Sequence, residues 1–116
     1  PVAALSRLAD EPFAFLFESV VGGERVARYS MLGVQPRARI VGDLERITLI
    51  RADGRSETLD GDPFSAVRAY HRRFKAAAIA GLPRFTGGLV GYWGYDVVRA
   101  AEPLPHCPPD RLGLPD

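Results

Sequence analysis

With 116 residues, 47% of them apolar and 25% charged, the chain suits one globular domain that buries roughly two-thirds of its unfolded surface. A formal net charge of +1 argues against a dedicated nucleic-acid binder, which carries a larger basic excess. No apolar run approaches the roughly 18–20 residues of a membrane span, the first residues do not form a signal peptide, and a single cysteine, Cys107, excludes an internal disulfide; a cytoplasmic protein without a membrane partner is the expectation.

In chain order, Leu5, Leu8 and Ala9 fall on one side of a short helix over Val2–Ala9, which Asp10-Glu11-Pro12 ends, because proline disfavours the helical region for the residue before it. Phe13–Val21 and Arg25–Val34 are rich in β-branched and aromatic residues and flank Gly22-Gly23, a pair that takes the positive φ angles of a tight turn, so an antiparallel hairpin is predicted. Gln35-Pro36 breaks the second strand. Ala38–Val41 and Arg46–Arg51 read as strands joined across Gly42-Asp43, and Asp53-Gly54 signals a second hairpin into Arg55–Leu59.

Asp62-Pro63 opens a helix, with aspartate as N-cap and proline where its missing N–H costs nothing. Phe64, Val67, His71, Phe74 and Ala78 recur at helical spacing and predict an apolar stripe through to Ala80, capped by Gly81 and stopped by Pro83. Arg68, Arg72 and Lys75 share another face. The segment Phe85–Val98 is strand-like, yet holds glycines at 87, 88, 91 and 94; glycines in such a run predict close approach of another backbone or a ligand. Asp96 is a candidate cap for a short helical turn over Val97–Ala101. Antiparallel strands and one marked helix give an α+β fold, an antiparallel sheet with Pro63–Ala80 packed on it. From Pro103 the chain has five prolines in fourteen residues, a composition that suits a connector or edge segment and predicts a longer polypeptide.

Few residues propose chemistry. Gly88-x-x-Gly91-x-x-Gly94 is neither a dinucleotide fingerprint nor a phosphate loop, and packing is its expected role. Arg68, His71, Arg72, Arg73 and Lys75 are expected to form a solvated helix face. His71 and His106 lack partners at metal-ligand spacing, and no Ser-His-Asp, Cys-His or paired-carboxylate arrangement is visible; no catalytic residue and no metal ligand is assigned. Glu18-Ser19 differs, because a carboxylate and a hydroxyl interrupt an apolar strand and must be partnered. Either Ser19 bonds locally while Glu18 pairs with Arg25 or Arg28 across the hairpin, or the pair meets a small zwitterionic ligand.

FLFESVVGGERVARYSMLG resembles the N-terminal domain of anthranilate synthase component I, a chorismate-utilising family in which a Leu-Leu-Glu-Ser element precedes a Gly-Gly-Glu-Arg turn and an Arg-Tyr-Ser strand. GGLVGYWGYDVVR and DRLGLPD match two further segments of that domain in the same order. The resemblance implies that residues 1–116 are the regulatory N-terminal portion of a lyase that makes anthranilate and pyruvate from chorismate and glutamine or ammonia, in tryptophan biosynthesis. It implies Mg²⁺ in the full-length enzyme and none in this portion, with a C-terminal chorismate-binding domain and a glutamine amidotransferase subunit as partners. It places the feedback inhibitor L-tryptophan at Ser19 and Glu18, with Arg28 and Tyr29 as candidate secondary contacts. The remaining contacts belong to the C-terminal domain, so this portion alone is expected to be inert. Phe15-Leu16-Phe17 replaces the usual aliphatic run, and Val26 stands where tryptophan is common. The same domain of aminodeoxychorismate synthase component I, in folate synthesis, and a stand-alone amino-acid-binding module are the alternatives.

Overall fold

The structure, a computed structural model, describes residues 1–18, 29–83, 85–106, 109 and 113–116. Two compact units divide the chain, Pro1–Arg37 and Ala38–Asp116.

In the first unit, helix α1 (Val2–Ser6) is shorter than the predicted Val2–Ala9. The chain continues instead in tighter turns, with Leu8 N–H donating to Leu5 O at 2.8 Å and Glu11 N–H to Leu8 O at 3.0 Å. An isolated helix this short has too few hydrogen bonds to repay nucleation. Strands β1 (Phe15–Glu18) and β2 (Ser30–Gly33) then pair antiparallel, with Phe15 opposite Gly33 and Glu18 opposite Ser30. The predicted hairpin is present in these eight residues, although the Gly22-Gly23 turn lies outside the described residues. Gly33 is required by contact, since a Cβ there would run into the ring of Phe15. Phe15 in turn leans on Phe17, ring centroids 5.2 Å apart. Past the strands, Gln35 Nε2 donates to Glu11 Oε2 at 3.0 Å, tying the two ends of the hairpin together.

The second unit contains a separate three-stranded antiparallel sheet, β3 (Ala38–Gly42), β4 (Ile47–Arg51) and β5 (Ser56–Leu59), with β4 central. Both predicted turns close it. Asp43 Oδ1 accepts from the N–H groups of Glu45 and Arg46, each at 2.8 Å. At the second turn Gly54 takes φ of 83° and Arg55 N–H donates to Asp53 Oδ1 at 3.1 Å. Period-two alternation sends Ile47 and Leu49 into the core.

Helix α2 (Pro63–His71) begins as predicted: Asp62 Oδ1 accepts from Phe64 N–H and Ser65 N–H, both at 3.0 Å. Its buried residues are Pro63, Ala66 and Tyr70, not the Phe64–Val67–His71 stripe. Past the helix, Arg73 lies 4.0 Å from Glu57, which pairs with Arg51 at 2.6 Å. Glu57 is the register partner of Leu49, so this ion pair sets the end of α2 over the face that carries the core. The helix stops at His71 instead of Ala80, in turns where Arg73 N–H reaches Tyr70 O and Phe74 N–H reaches His71 O. Helical spacing without a layer to bury it does not sustain a helix; Phe74 stays 46% exposed. Gly81, accordingly, turns the chain at φ of 86° and caps no helix.

The strand-like run over Phe85–Val98 is not a strand. Its C-terminal part forms a 3₁₀ helix, Tyr95–Ala100, with Val97 buried. Asp96 does not cap this helix: it receives Arg99 Nε at 2.8 Å, while Gly94 holds the N-cap position. Arg99 also donates to Leu104 O at 3.1 Å and to His106 O, binding the proline-rich segment to the helix. At the far end Asp116 N–H donates to Gly42 O at 3.1 Å. Among the described residues no helix is long and apolar enough to cross a membrane.

Candidate functional site

Of the residues predicted to meet an amino-acid ligand, Ser19 and Arg28 lie outside the described residues, as does Arg25, the other cross-hairpin partner considered for Glu18. Glu18 and Tyr29 are described, and both are exposed. Pairing in β1 and β2 puts Glu18 and Ser30 directly opposite, on the sheet face that also carries Leu16 and Leu32. Opposite residues in an antiparallel pair hold their Cβ atoms about 5 Å apart. The strand end therefore presents a carboxylate beside a hydroxyl, next to apolar side chains, which suits an ammonium group and a neighbouring acceptor or donor. The hydroxyl that the ladder sets opposite Glu18 is that of Ser30, which sequence reading passed over. It belongs to the Arg-Tyr-Ser element, and only the register of the hairpin reveals the pairing.

The second unit holds an open groove of about 560 Å³, lined by Phe64, Val67, Arg68 and His71 from α2 and by Phe85, Leu89 and Trp93 from the glycine-rich segment. Trp93 packs against Phe64 with ring centroids 5.0 Å apart and planes tilted by 49°. The basic cluster predicted for a solvated helix face divides here: Arg68 and His71 border the groove, whereas Arg73 turns to Glu57 and to the ring of Tyr70, 5.6 Å from its centroid. The close approach of another backbone or a ligand expected of the glycine-rich run is seen at Gly94, where a Cβ would come within 2.7 Å of Asp116 Cα. Gly87 and Gly91 face open space.

Electrostatics mark structure rather than chemistry. Three aspartates have carboxyls held below their ordinary range, and each sits at a turn or cap. The N–H groups of Arg46 and Glu45 lower Asp43. The Arg55 side chain, then its N–H, lowers Asp53. The Ser65 hydroxyl, then the N–H groups of Ser65 and Phe64, lower Asp62. Among the described residues no three His, Cys, Asp or Glu side chains gather where they could hold a metal ion.

Over the whole chain, component 1 of anthranilate synthase from Acetivibrio thermocellus is 40% identical, and those from Acinetobacter calcoaceticus and Pseudomonas putida are 45% and 44% identical. The chain is a homologue of anthranilate synthase component 1. It spans about a quarter of the length of these relatives, 24% of each. No protein-family profile matches the chain, and no solved structure does. The ordered sequence matches that suggested anthranilate synthase component 1 thus agree with the relatives found, and the α+β class agrees with the two sheets and short helices.

Proposed function

We propose that this chain is the N-terminal regulatory portion of an anthranilate synthase component 1, acting in a polypeptide that makes anthranilate and pyruvate from chorismate and glutamine or ammonia. The observation that carries this is identity of 39–45% over the entire chain to proteins of that name. Tryptophan is the proposed inhibitor, held at Glu18 and Ser19 with Arg28 and Tyr29 nearby. Chorismate, Mg²⁺ and the amidotransferase subunit engage the rest of the enzyme, so the segment alone is inert. A ligand shared between this segment and the catalytic part lowers activity only by binding the inactive arrangement better than the active one. The exposed carboxylate–hydroxyl end of the β1–β2 hairpin supports an amino-acid ligand, since it offers an acceptor for an ammonium group beside apolar side chains.

The test joins residues 1–116 to the remainder of a component 1 polypeptide and assays product identity with and without tryptophan. Anthranilate formation that tryptophan suppresses, with Ser19→Ala raising the inhibitor concentration needed, is the expected outcome. Aminodeoxychorismate as product moves the chain to the folate branch, and unchanged inhibition in Ser19→Ala removes the site.

A further inference from the structure

Resting on the proposed function, we infer that residues 89–93, unpaired here, become a β-strand by pairing with a strand from the remaining part of a component 1-length polypeptide. Four observations converge on this segment. First, within 89–93 the side chains alternate with period two: Leu89 and Trp93 line the groove over α2, while Val90 and Tyr92 do not; Gly87 and Gly88 just before them both line it. That is the signature of an extended chain.

Second, the backbone is unpaired. Among the described residues, none of 85–93 makes a backbone–backbone hydrogen bond, and the first one downstream is Val97 N–H to Gly94 O at 3.3 Å. Third, both faces are apolar and open to solvent. Leu89 and Trp93 are 42% and 47% exposed on the groove side, and Val90 and Tyr92 are 37% and 67% exposed on the other. A strand with hydrophobic residues on both faces belongs inside a sheet with both faces covered, and an open edge of this composition invites pairing. Fourth, nothing lies within 4 Å of the position a Cβ would take at Gly91, which leaves room for a neighbouring backbone or side chain to close in.

The occupant follows from length. The relatives are about four times as long as this chain, which covers 24% of them, so three-quarters of such a polypeptide is available to supply a strand. A second copy of residues 1–116 would satisfy the edge in its own way, but would leave that larger part without a docking place on this surface.

Amide hydrogen exchange on the component 1-length polypeptide decides the matter. Exchange at 89–93 is expected to be slowed by about 100-fold or more relative to the intrinsic rate of the same sequence, and to stay near the intrinsic rate in residues 1–116 alone. Free exchange in the long polypeptide overturns the inference. So does slowing that disappears on dilution, or slowing already present in residues 1–116, because the partner is then a second copy or the segment itself. Tyr92→Pro removes one N–H from the proposed ladder, so loss of protection along 89–93 is expected; retention of wild-type protection overturns the assignment. If that variant does not fold, the wild-type exchange arm still decides. An enzyme that makes anthranilate while 89–93 exchange freely defeats only the strand assignment. Protection in a polypeptide that makes no anthranilate defeats only the functional proposal.

Discussion

Glu18 stands directly opposite Ser30 in the β1–β2 ladder, both exposed at the end of the hairpin. Charge, rather than shape, is what Glu18 offers an ammonium group. In the full-length enzyme Glu18→Gln is therefore expected to raise the tryptophan concentration for half-inhibition by about tenfold, the effect of losing roughly 1.4 kcal/mol from a charged hydrogen bond. Activity without tryptophan should be unchanged. Inhibition curves that superimpose would show that the carboxylate meets no ligand.

Leu49 is completely buried on the central strand, whereas Glu57 opposite it sits at the surface between Arg51 and Arg73. Leu49→Ala is expected to cost about 2–5 kcal/mol, through lost burial and the cavity left behind. Removing an exposed ion pair typically costs about 0–1 kcal/mol, so Glu57→Ala should shift the urea midpoint only slightly. Equal losses in the two variants would mean that the helix is held to the sheet by charge more than by packing.

The cap at Asp62 gives an acid-sensitive contribution. Its carboxyl titrates below the ordinary value of 3.8 because the Ser65 hydroxyl, then the N–H groups of Ser65 and Phe64, favour the ionised form. A group whose folded pKa is depressed adds stability above its unfolded pKa, and that stability is lost as the pH falls through the folded value. Asp43 and Asp53 shift in the same direction. Denaturation midpoints should therefore be flat near neutrality and fall below about pH 4. In Asp62→Asn, which keeps the cap but not the charge, the midpoint at neutral pH should stay above that of Asp62→Ala, and the acid-dependent loss should shrink.

Trp93 is the single tryptophan of the chain, so its fluorescence reports on the groove alone. Phe64→Ala removes the ring 5.0 Å away and should move the emission to longer wavelength, with a stability loss of about 0.5–1.5 kcal/mol beyond the burial term. An unmoved spectrum in the variant would show that Trp93 does not rest on α2 in solution.

Where local chemistry decides an outcome, the sequence was readable. Asp43, Asp53-Gly54 and Asp62-Pro63 each carry their own hydrogen-bond acceptor or permitted φ angle, and the turns and helix start lie where those residues put them. Prediction failed where an element needs a surface to lie on. The helix was expected to run on to Ala80 on the strength of Phe74 and Ala78, but no layer buries them and it stops at His71. Asp96 was placed as a cap by its position, yet Arg99 three residues on competes for it and wins. For the candidate site, Glu18 was legible because a charged residue in an apolar strand stands out. Ser30 was not, since its significance depends on register.

By itself, then, the order of residues determined the turns at Asp43 and Asp53-Gly54, the strands that flank them, the α+β class and the kinship with anthranilate synthase component 1, because capping, alternation and sequence identity are properties of neighbours along a chain. Only the tertiary structure decided which face of α2 is buried, that Leu49 is the centre of the core, that Ser30 is the partner of Glu18, and that the glycine-rich segment lies unpaired over a groove. Each of those outcomes turns on which distant surfaces meet, and burial free energy is allotted between surfaces, not between neighbours in sequence.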